Sequence, residues 1–269
     1  GRSNGVSIKL SALYSKYDAL HVRNVNQFLL PRLKDLIVDA VKKDVAVTID
    51  AEEQDRLSLS LDLIKNLALD PAIKSWPGLG LAVQAYGKRS LGVIDWLDNL
   101  SHGREKMHVR LVKGAYWDYE IKNAQVKGLK DYPVFTNKQL TDLNYLVTAK
   151  RLMECEKLKS SFATHNAHSI ASIMSLSQSS KNEIEFQRLY GMGELLYSAC
   201  HSTYERFPDT TIYCPVGHHK ELLPYLVRRL LENGANSSFI NKYLNTNIPA
   251  EDLAQNPADM IKEKIDHLD

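Results

Sequence analysis

Seven short apolar runs, near Val6, Val45, Leu81, Met107, Phe162, Ile184 and Thr211, restrict the possible folds of this chain more than any other feature. In Val6-Ser7-Ile8-Lys9-Leu10 the polar partners are Ser7 and Lys9, and in Val45-Ala46-Val47-Thr48-Ile49-Asp50 they are Thr48 and Asp50. Leu81-Ala82-Val83-Gln84 offers Gln84, Met107-His108-Val109-Arg110-Leu111 offers His108 and Arg110, and Thr211-Ile212-Tyr213-Cys214 offers Tyr213. Side chains alternate faces along a strand, so each run has an aliphatic side for helices to cover and a polar side for a confined space. Lys, Asp, Arg and Tyr recurring at the C-terminal ends of parallel strands is the layout of a barrel active site.

Helical patterns lie between these runs. From Asn24 to Lys43 the apolar residues Val25, Phe28, Leu29, Leu33, Leu36, Ile37 and Val41 recur with a helical period. Leu57 to Leu69 follows an acidic turn, Glu52-Glu53-Gln54-Asp55, that suits a helix start on a solvated surface. Leu91–Leu100, Leu140–Cys155, Ser169–Leu176 and Leu222–Leu231 complete the alternation. Strand and helix alternating at intervals of roughly 25–55 residues predict a parallel sheet with crossover helices. A closed barrel of this kind has eight strands, one more than the runs supply. An open doubly wound sheet would carry a glycine-rich turn after its first strand, whereas Leu10-Ser11-Ala12-Leu13 stands there. The expectation is therefore an α/β fold, a distorted (βα)8 TIM-type barrel, with the first βα unit absent from this chain. Residues 1–240 are read as the barrel and 241–269 as a C-terminal linker segment with one short helix.

At 269 residues the chain has the length of one such domain, and a net charge of +2 with scattered cations gives no reason to expect nucleic acid as a partner. The three cysteines, Cys155, Cys200 and Cys214, form no C-x-x-C pair and read as reduced thiols. No apolar run approaches the ~20 residues that span a bilayer. A soluble, cytoplasmic protein is the expectation.

Several constellations carry chemistry. Arg110-Leu111-Val112-Lys113-Gly114-Ala115-Tyr116-Trp117-Asp118 leaves a strand through a glycine between two cations, a place for backbone to approach a ligand closely. The twin Arg228-Arg229 lies on a helix; Arg228 pairs with Glu232 one turn on, or both guanidinium groups clamp a carboxylate. Thr164-His165-Asn166-Ala167-His168 places two imidazoles close together, but no H-x-H marks an early strand and Asp50 is the one carboxylate at a strand end. No metal ligand set is expected, although a metal-dependent barrel hydrolase remains the alternative enzyme reading. Lys113 as a buried Schiff-base nucleophile and a non-catalytic docking platform are further readings. Tyr116, Trp117, Tyr213 and Tyr225 either pack or sandwich a planar cofactor.

Ser7 through Leu13, Ile49-Asp50-Ala51-Glu52-Glu53, Gln84-Ala85-Tyr86, Arg110 through Asp118, Ala163 through His168, and Arg228 through Asn236 together resemble the proline dehydrogenase barrel, in the form carried by bifunctional proline utilisation A flavoenzymes. The likeness implies FAD-dependent oxidation of L-proline to Δ1-pyrroline-5-carboxylate, with electrons passed to a membrane quinone. It also implies a fused or partner pyrroline-5-carboxylate dehydrogenase, and peripheral contact with the inner membrane surface. Carried over by motif, Arg110 sits beside the flavin N5 edge, and Asp50 is the catalytic carboxylate that orients Lys9 and Tyr213. Ala51, Gln84, Lys113, Gly114, Ala115, Trp117, Thr164 and His165 hold the cofactor. Lys9, Arg228 and Arg229 take the proline carboxylate, while Tyr116, Leu189, Tyr213 and Tyr225 wall the ring.

Overall fold

The computed structural model describes residues 4–234, 249, 251 and 254–266, and within these the side chains of Pro224, Arg228, 230–234 and 264–266 lie outside the description. Seven parallel strands form one sheet in sequential order: β1 (Gly5–Ile8), β2 (Ala46–Ile49), β3 (Leu79–Gln84), β4 (Met107–Val112), β5 (Leu158–Ala163), β6 (Ile184–Leu189) and β7 (Thr210–Tyr213). The helices are α1 (Leu10–Leu13), α2 (Val22–Asn24), α3 (Leu30–Lys43), α4 (Leu57–Ala68), α5 (Ser90–Ser101) and α6 (Trp117–Val126), then α7 (Lys138–Glu154), α8 (Ala167–Ser177), α9 (Glu194–Thr203), α10 (His219–Gly234) and α11 (Pro257–Asp266). All seven expected strands form; an eighth is not seen among the described residues.

The alternation read from the sequence sets the two faces. On β4, Met107, Val109 and Leu111 are buried while His108, Arg110 and Val112 are half-buried on the other side. Val47, Ile49, Leu81, Val83 and Phe162 join the first set and pack on Leu33 and Ile37 of α3, Leu63, Ile64 and Leu67 of α4, and Ile94 and Leu97 of α5. Each such side chain contributes ~2 kcal/mol by leaving water, which drives the helices onto one face of the sheet.

The polar face curls inward. Strands lie about 4.8 Å apart, so a flat sheet would hold β2 and β7 about 24 Å from one another. Yet the Tyr213 hydroxyl at the end of β7 donates to Asp50 Oδ2, just past β2, at 3.3 Å. Only a sheet rolled into most of a barrel brings these ends together. Small residues make room inside: Ala82 and Ser161 are the register partners on either side of Arg110, and Gly80 is beside His108. A Cβ at Gly80 would lie 2.7 Å from that of His108.

Three expectations are corrected. The single helix from Asn24 is α2, a wide turn over Val25–Leu29 whose closing bond runs from Leu30 N–H to Val25 O, and then α3. Pro31, in the first turn of α3, has no N–H for the ordinary helical bond, and the backbone widens ahead of it. Phe28, expected in the core, is half exposed and stacks on Tyr14. Glu52 is no solvated helix-start residue: its side chain is 7% exposed, bonded to Arg56 and to the Ser11 N–H. Beyond the barrel, α11 packs on α7, and 235–248 lies outside the described residues.

Candidate active site

Arg110 is the hub. From the interior face of β4 its Nη1 donates to Asp50 Oδ1 at 2.8 Å, its Nη2 to Ser7 Oγ at 2.7 Å, and its Nε to Gln187 Oε1 at 2.6 Å. The guanidinium also lies over the Tyr213 ring, 5.2 Å from its centroid. Residues from β1, β2, β4, β6 and β7 therefore share one cluster at the C-terminal ends of their strands. Arg110 and Asp50 are 12% and 15% exposed, so their charges act in a medium far less screening than water.

Burial pushes the Asp50 carboxyl above the ordinary carboxylate range; Arg110 first, then Lys9, pull it back. Burial likewise pushes Tyr213 up to about 12, with Asp50 adding to the effect, so the phenol stays a neutral donor. Lys9 caps the end of β1 and gives its hydrogen bond to the Tyr116 hydroxyl at 2.7 Å. Among the described residues no hydrogen bond joins Lys9 to Asp50, which is expected to orient it; the two couple through space. Among the described residues, Lys9 meets no carboxylate at ion-pair distance.

The loop after β4 is built on Gly114. Its φ of +138° is open to glycine, and a Cβ there would lie 2.5 Å from the Tyr86 ring. This tight seat leaves Gly114 and Ala115 exposed at the mouth, and Trp117 is anchored beside them by its Nε1 donating to Phe135 O at 2.8 Å. Lys113 donates to Asp142 Oδ1 at 2.5 Å, and burial lowers its pKa against the opposing pull of that carboxylate. Gln84 is buried and donates to Glu52 O at 2.7 Å, tying β3 to the Asp50-Ala51-Glu52 turn.

The Thr164-His165-Asn166-Ala167-His168 motif resolves into local chemistry. Asn166 caps α8 by accepting from Ser169 N–H at 3.0 Å, and Thr164 Oγ1 accepts from Asn166 N–H at 3.1 Å. The cap turns the chain so that His165 precedes the helix while His168 sits in its first turn. His165 Nε2 accepts from Leu189 N–H at 3.0 Å, which fixes a neutral imidazole; burial, then Arg229 and Arg188, lower its pKa to about 4. Arg229 is thus near enough to act on His165, and it lies over the Tyr225 ring one turn earlier on α10, at 5.4 Å. Tyr225 in turn is near enough to Tyr213 to raise its pKa slightly. The Arg228 side chain lies outside the described residues. No group of three or more His, Cys, Asp or Glu is placed to hold a metal ion among the described residues, so the metal-dependent alternative finds no ligand cluster there.

Sequence reasoning passed over Gln187 and Asp142. Gln187 was within reach, since Ile184-Glu185-Phe186-Gln187-Arg188-Leu189 alternates like the other strands. Asp142 carried no signal, being one polar residue within a long helix.

The donor set suits an anionic, planar cofactor beside a small anionic substrate: cations at Arg110, Lys113, Lys9 and Arg229, exposed backbone at Gly114-Ala115, and phenols around them. The chain is 46% identical over 266 residues to the bifunctional protein PutA of Escherichia coli (strain K12), covering 96% of this chain and 20% of that protein. It is 27% identical to proline dehydrogenase 2 of Bacillus subtilis (strain 168), over 88% of this chain and 68% of that one. A solved structure of proline utilization A with proline bound in remote sites superposes with a TM-score of 0.91 at 49% identity, covering 96% of this chain and 26% of that chain. The chain thus spans about a fifth of the length of the PutA relatives it matches. The proline dehydrogenase family model matches residues 1–242, and the chain belongs to that family.

Proposed function

We propose that this chain is the proline-oxidising unit of a larger protein, converting L-proline to Δ1-pyrroline-5-carboxylate. The carrying observation is Lys9: a half-buried ammonium at a strand end whose hydrogen bond goes to a neutral phenol, and which meets no carboxylate among the described residues. A half-buried cation that touches no carboxylate favours an anionic ligand. Lys9, Arg229 and the neighbouring Arg228 then take the proline carboxylate, and Tyr116, Leu189, Tyr213 and Tyr225 enclose the ring.

FAD, when bound, supplies the two-electron acceptor for this oxidation. Gly114, Ala115, Lys113, Trp117, Gln84, Ala51, Thr164 and His165 are placed to hold it. Arg110, fixed by three partners, presents positive charge that needs no reorganisation as negative charge develops beside it. Asp50 holds that guanidinium and orients Tyr213. Hydride leaves more readily from a neutral amine, so substrate must shed a proton, and Asp50 is the carboxylate nearest to the reacting region.

Further parts of the reading concern the whole protein. Among the described residues the outer edges of β1 and β7 carry no further strand, which favours an additional βα unit that closes a (βα)8 barrel, with residues 1–240 as barrel and 241–269 as a linker docked through α11. A quinone takes the electrons, and a fused dehydrogenase consumes the product. No helix among the described residues is long and apolar enough to cross a membrane. The reading has the chain meet a membrane quinone by peripheral contact from the cytoplasm.

The test is Arg229→Met, with Arg228→Met beside it, in the flavin-loaded protein. The reading expects the Michaelis constant for proline to rise at least about tenfold with flavin content unchanged. Unaltered proline kinetics in both variants would remove the carboxylate clamp.

A further inference from the structure

Beneath Arg110 runs a polar chain that passes from half-buried Gln187 to buried Glu185 and Ser161. Gln187 Oε1 accepts from Arg110 Nε, and Gln187 Nε2 donates to Glu185 Oε1 at 2.7 Å. Glu185 is 8% exposed and also accepts from Ser161 Oγ at 3.3 Å. Residues 185 and 187 share the interior face of β6, and register places Ser161 beside both Arg110 and Glu185. Guanidinium, amide and carboxylate thus lie in a row.

We propose that Gln187 is a positioning residue for Arg110, that Glu185 dictates which end of its amide meets the guanidinium, and that the neutrality of Gln187 keeps the cluster around Arg110 from becoming net anionic. The inference rests on the reading that Arg110 faces a flavin. An amide has a donor end and an acceptor end of nearly equal size. Turned about, the Gln187 NH2 would face the Arg110 Nε–H, donor against donor, and its oxygen would face the Glu185 carboxylate. Both contacts would be repulsive in a poorly screened interior, so Glu185 locks the amide in one orientation.

Charge explains why an amide suits this position. Asp50 already contacts Arg110 directly. A second carboxylate at the Nε edge would outweigh the single positive charge and make the cluster anionic. Gln187 supplies an acceptor without that charge, while the anion of Glu185 stays one side chain further away.

The test is the midpoint potential of the flavin in full-length, flavin-loaded protein carrying Q187E, E185Q or R110Q, with melting temperature and flavin content measured alongside. Q187E brings an anion against Arg110, and the expected result is at least a tenfold shift of the redox equilibrium toward oxidised flavin, about 30 mV lower for a two-electron couple. E185Q keeps an acceptor for the Gln187 NH2 while removing a buried negative charge, so its potential moves upward. A merely structural role would lower the melting temperature and leave both potentials in place. R110Q reports on the underlying reading, through a lower potential or through lost flavin. If R110Q shows either effect while Q187E and E185Q hold the wild-type potential, the positioning inference is overturned and the reading of Arg110 stands. If none of the three differs from wild type, both are overturned. Should Q187E fail to fold, the sign of the E185Q shift decides: upward supports the inference, and unchanged or downward overturns it.

Discussion

Arg110 and Asp50 meet at 2.8 Å although 60 residues separate them, and both side chains are largely shielded from water. Shielded ion pairs are poor sources of stability, because desolvating two charges offsets most of their attraction. Their value here is geometric. The carboxylate holds the guanidinium while Ser7 and Gln187 fix its other edges, so charge points in one direction before any ligand arrives.

Replacing Asp50 with Asn keeps the shape of that contact and removes its charge. Burial already holds the Asp50 carboxyl above its ordinary range, against the pull of Arg110 and then Lys9, a direction that favours proton uptake. Asp50→Asn is expected to slow flavin reduction by proline about a hundredfold with flavin retained, as read by stopped-flow absorbance. A rate within about threefold of wild type would contradict the role.

Acid is expected to weaken the fold through His165 and His108, both held down to about 4 with burial as the leading cause. An unfolded histidine titrates near 6.5, so between the two values the unfolded chain binds more protons. Stability is therefore full above about pH 6.5 and declines as pH falls toward about 4. Urea midpoints at neutral pH and near pH 4.5 check this, and the His165→Gln, His108→Gln double variant should flatten the difference.

Arg104 is a structural counterpart, buried far from the site and donating to Glu105 O at 2.9 Å, Ala68 O at 3.3 Å and Trp76 O at 2.6 Å. It ties the end of α4 to the turn before β3. Arg104→Met would strand those carbonyls and cost about 3 kcal/mol in chemical denaturation. Activity per folded molecule should not change.

Gly114→Ala joins an unfavourable φ to a collision with the Tyr86 ring. Backbone strain of this kind costs about 1–3 kcal/mol, and the displaced loop carries the Gly114-Ala115 backbone assigned to the cofactor. The variant should emerge from gel filtration with clearly less flavin; a full complement of flavin would detach the loop from that role.

The sheet was legible because a period of two is a local property: Ser7, Asp50, Arg110 and Tyr213 declared their common face without any tertiary information. Their convergence follows from rolling the sheet, and the cations and phenols of the mouth were named by the resemblance alone. Other features depend on tertiary context. Helix α6 buries Glu120, which accepts from the Gln54 N–H, while Trp117, Tyr119 and Val126 are exposed, so its polarity pattern runs opposite to that of an ordinary surface helix. In α9, Tyr197 and Cys200 are buried while Leu195 is almost fully exposed, again too weak a stripe to announce a helix. Glu52 looked solvated because the Ser11 N–H that helps enclose it comes from 41 residues away, while Arg56, one turn on, read as an ordinary surface pair.

The most direct test of the pocket is an anaerobic titration of the flavin-loaded protein with L-proline and, separately, with pyrrolidine, following loss of the visible flavin absorption. If the cations of this mouth hold the carboxylate of an amino acid against the cofactor, L-proline bleaches the flavin and pyrrolidine, lacking that group, does so at least about a hundredfold less readily. Equal bleaching by both compounds, or none by L-proline, would contradict the account.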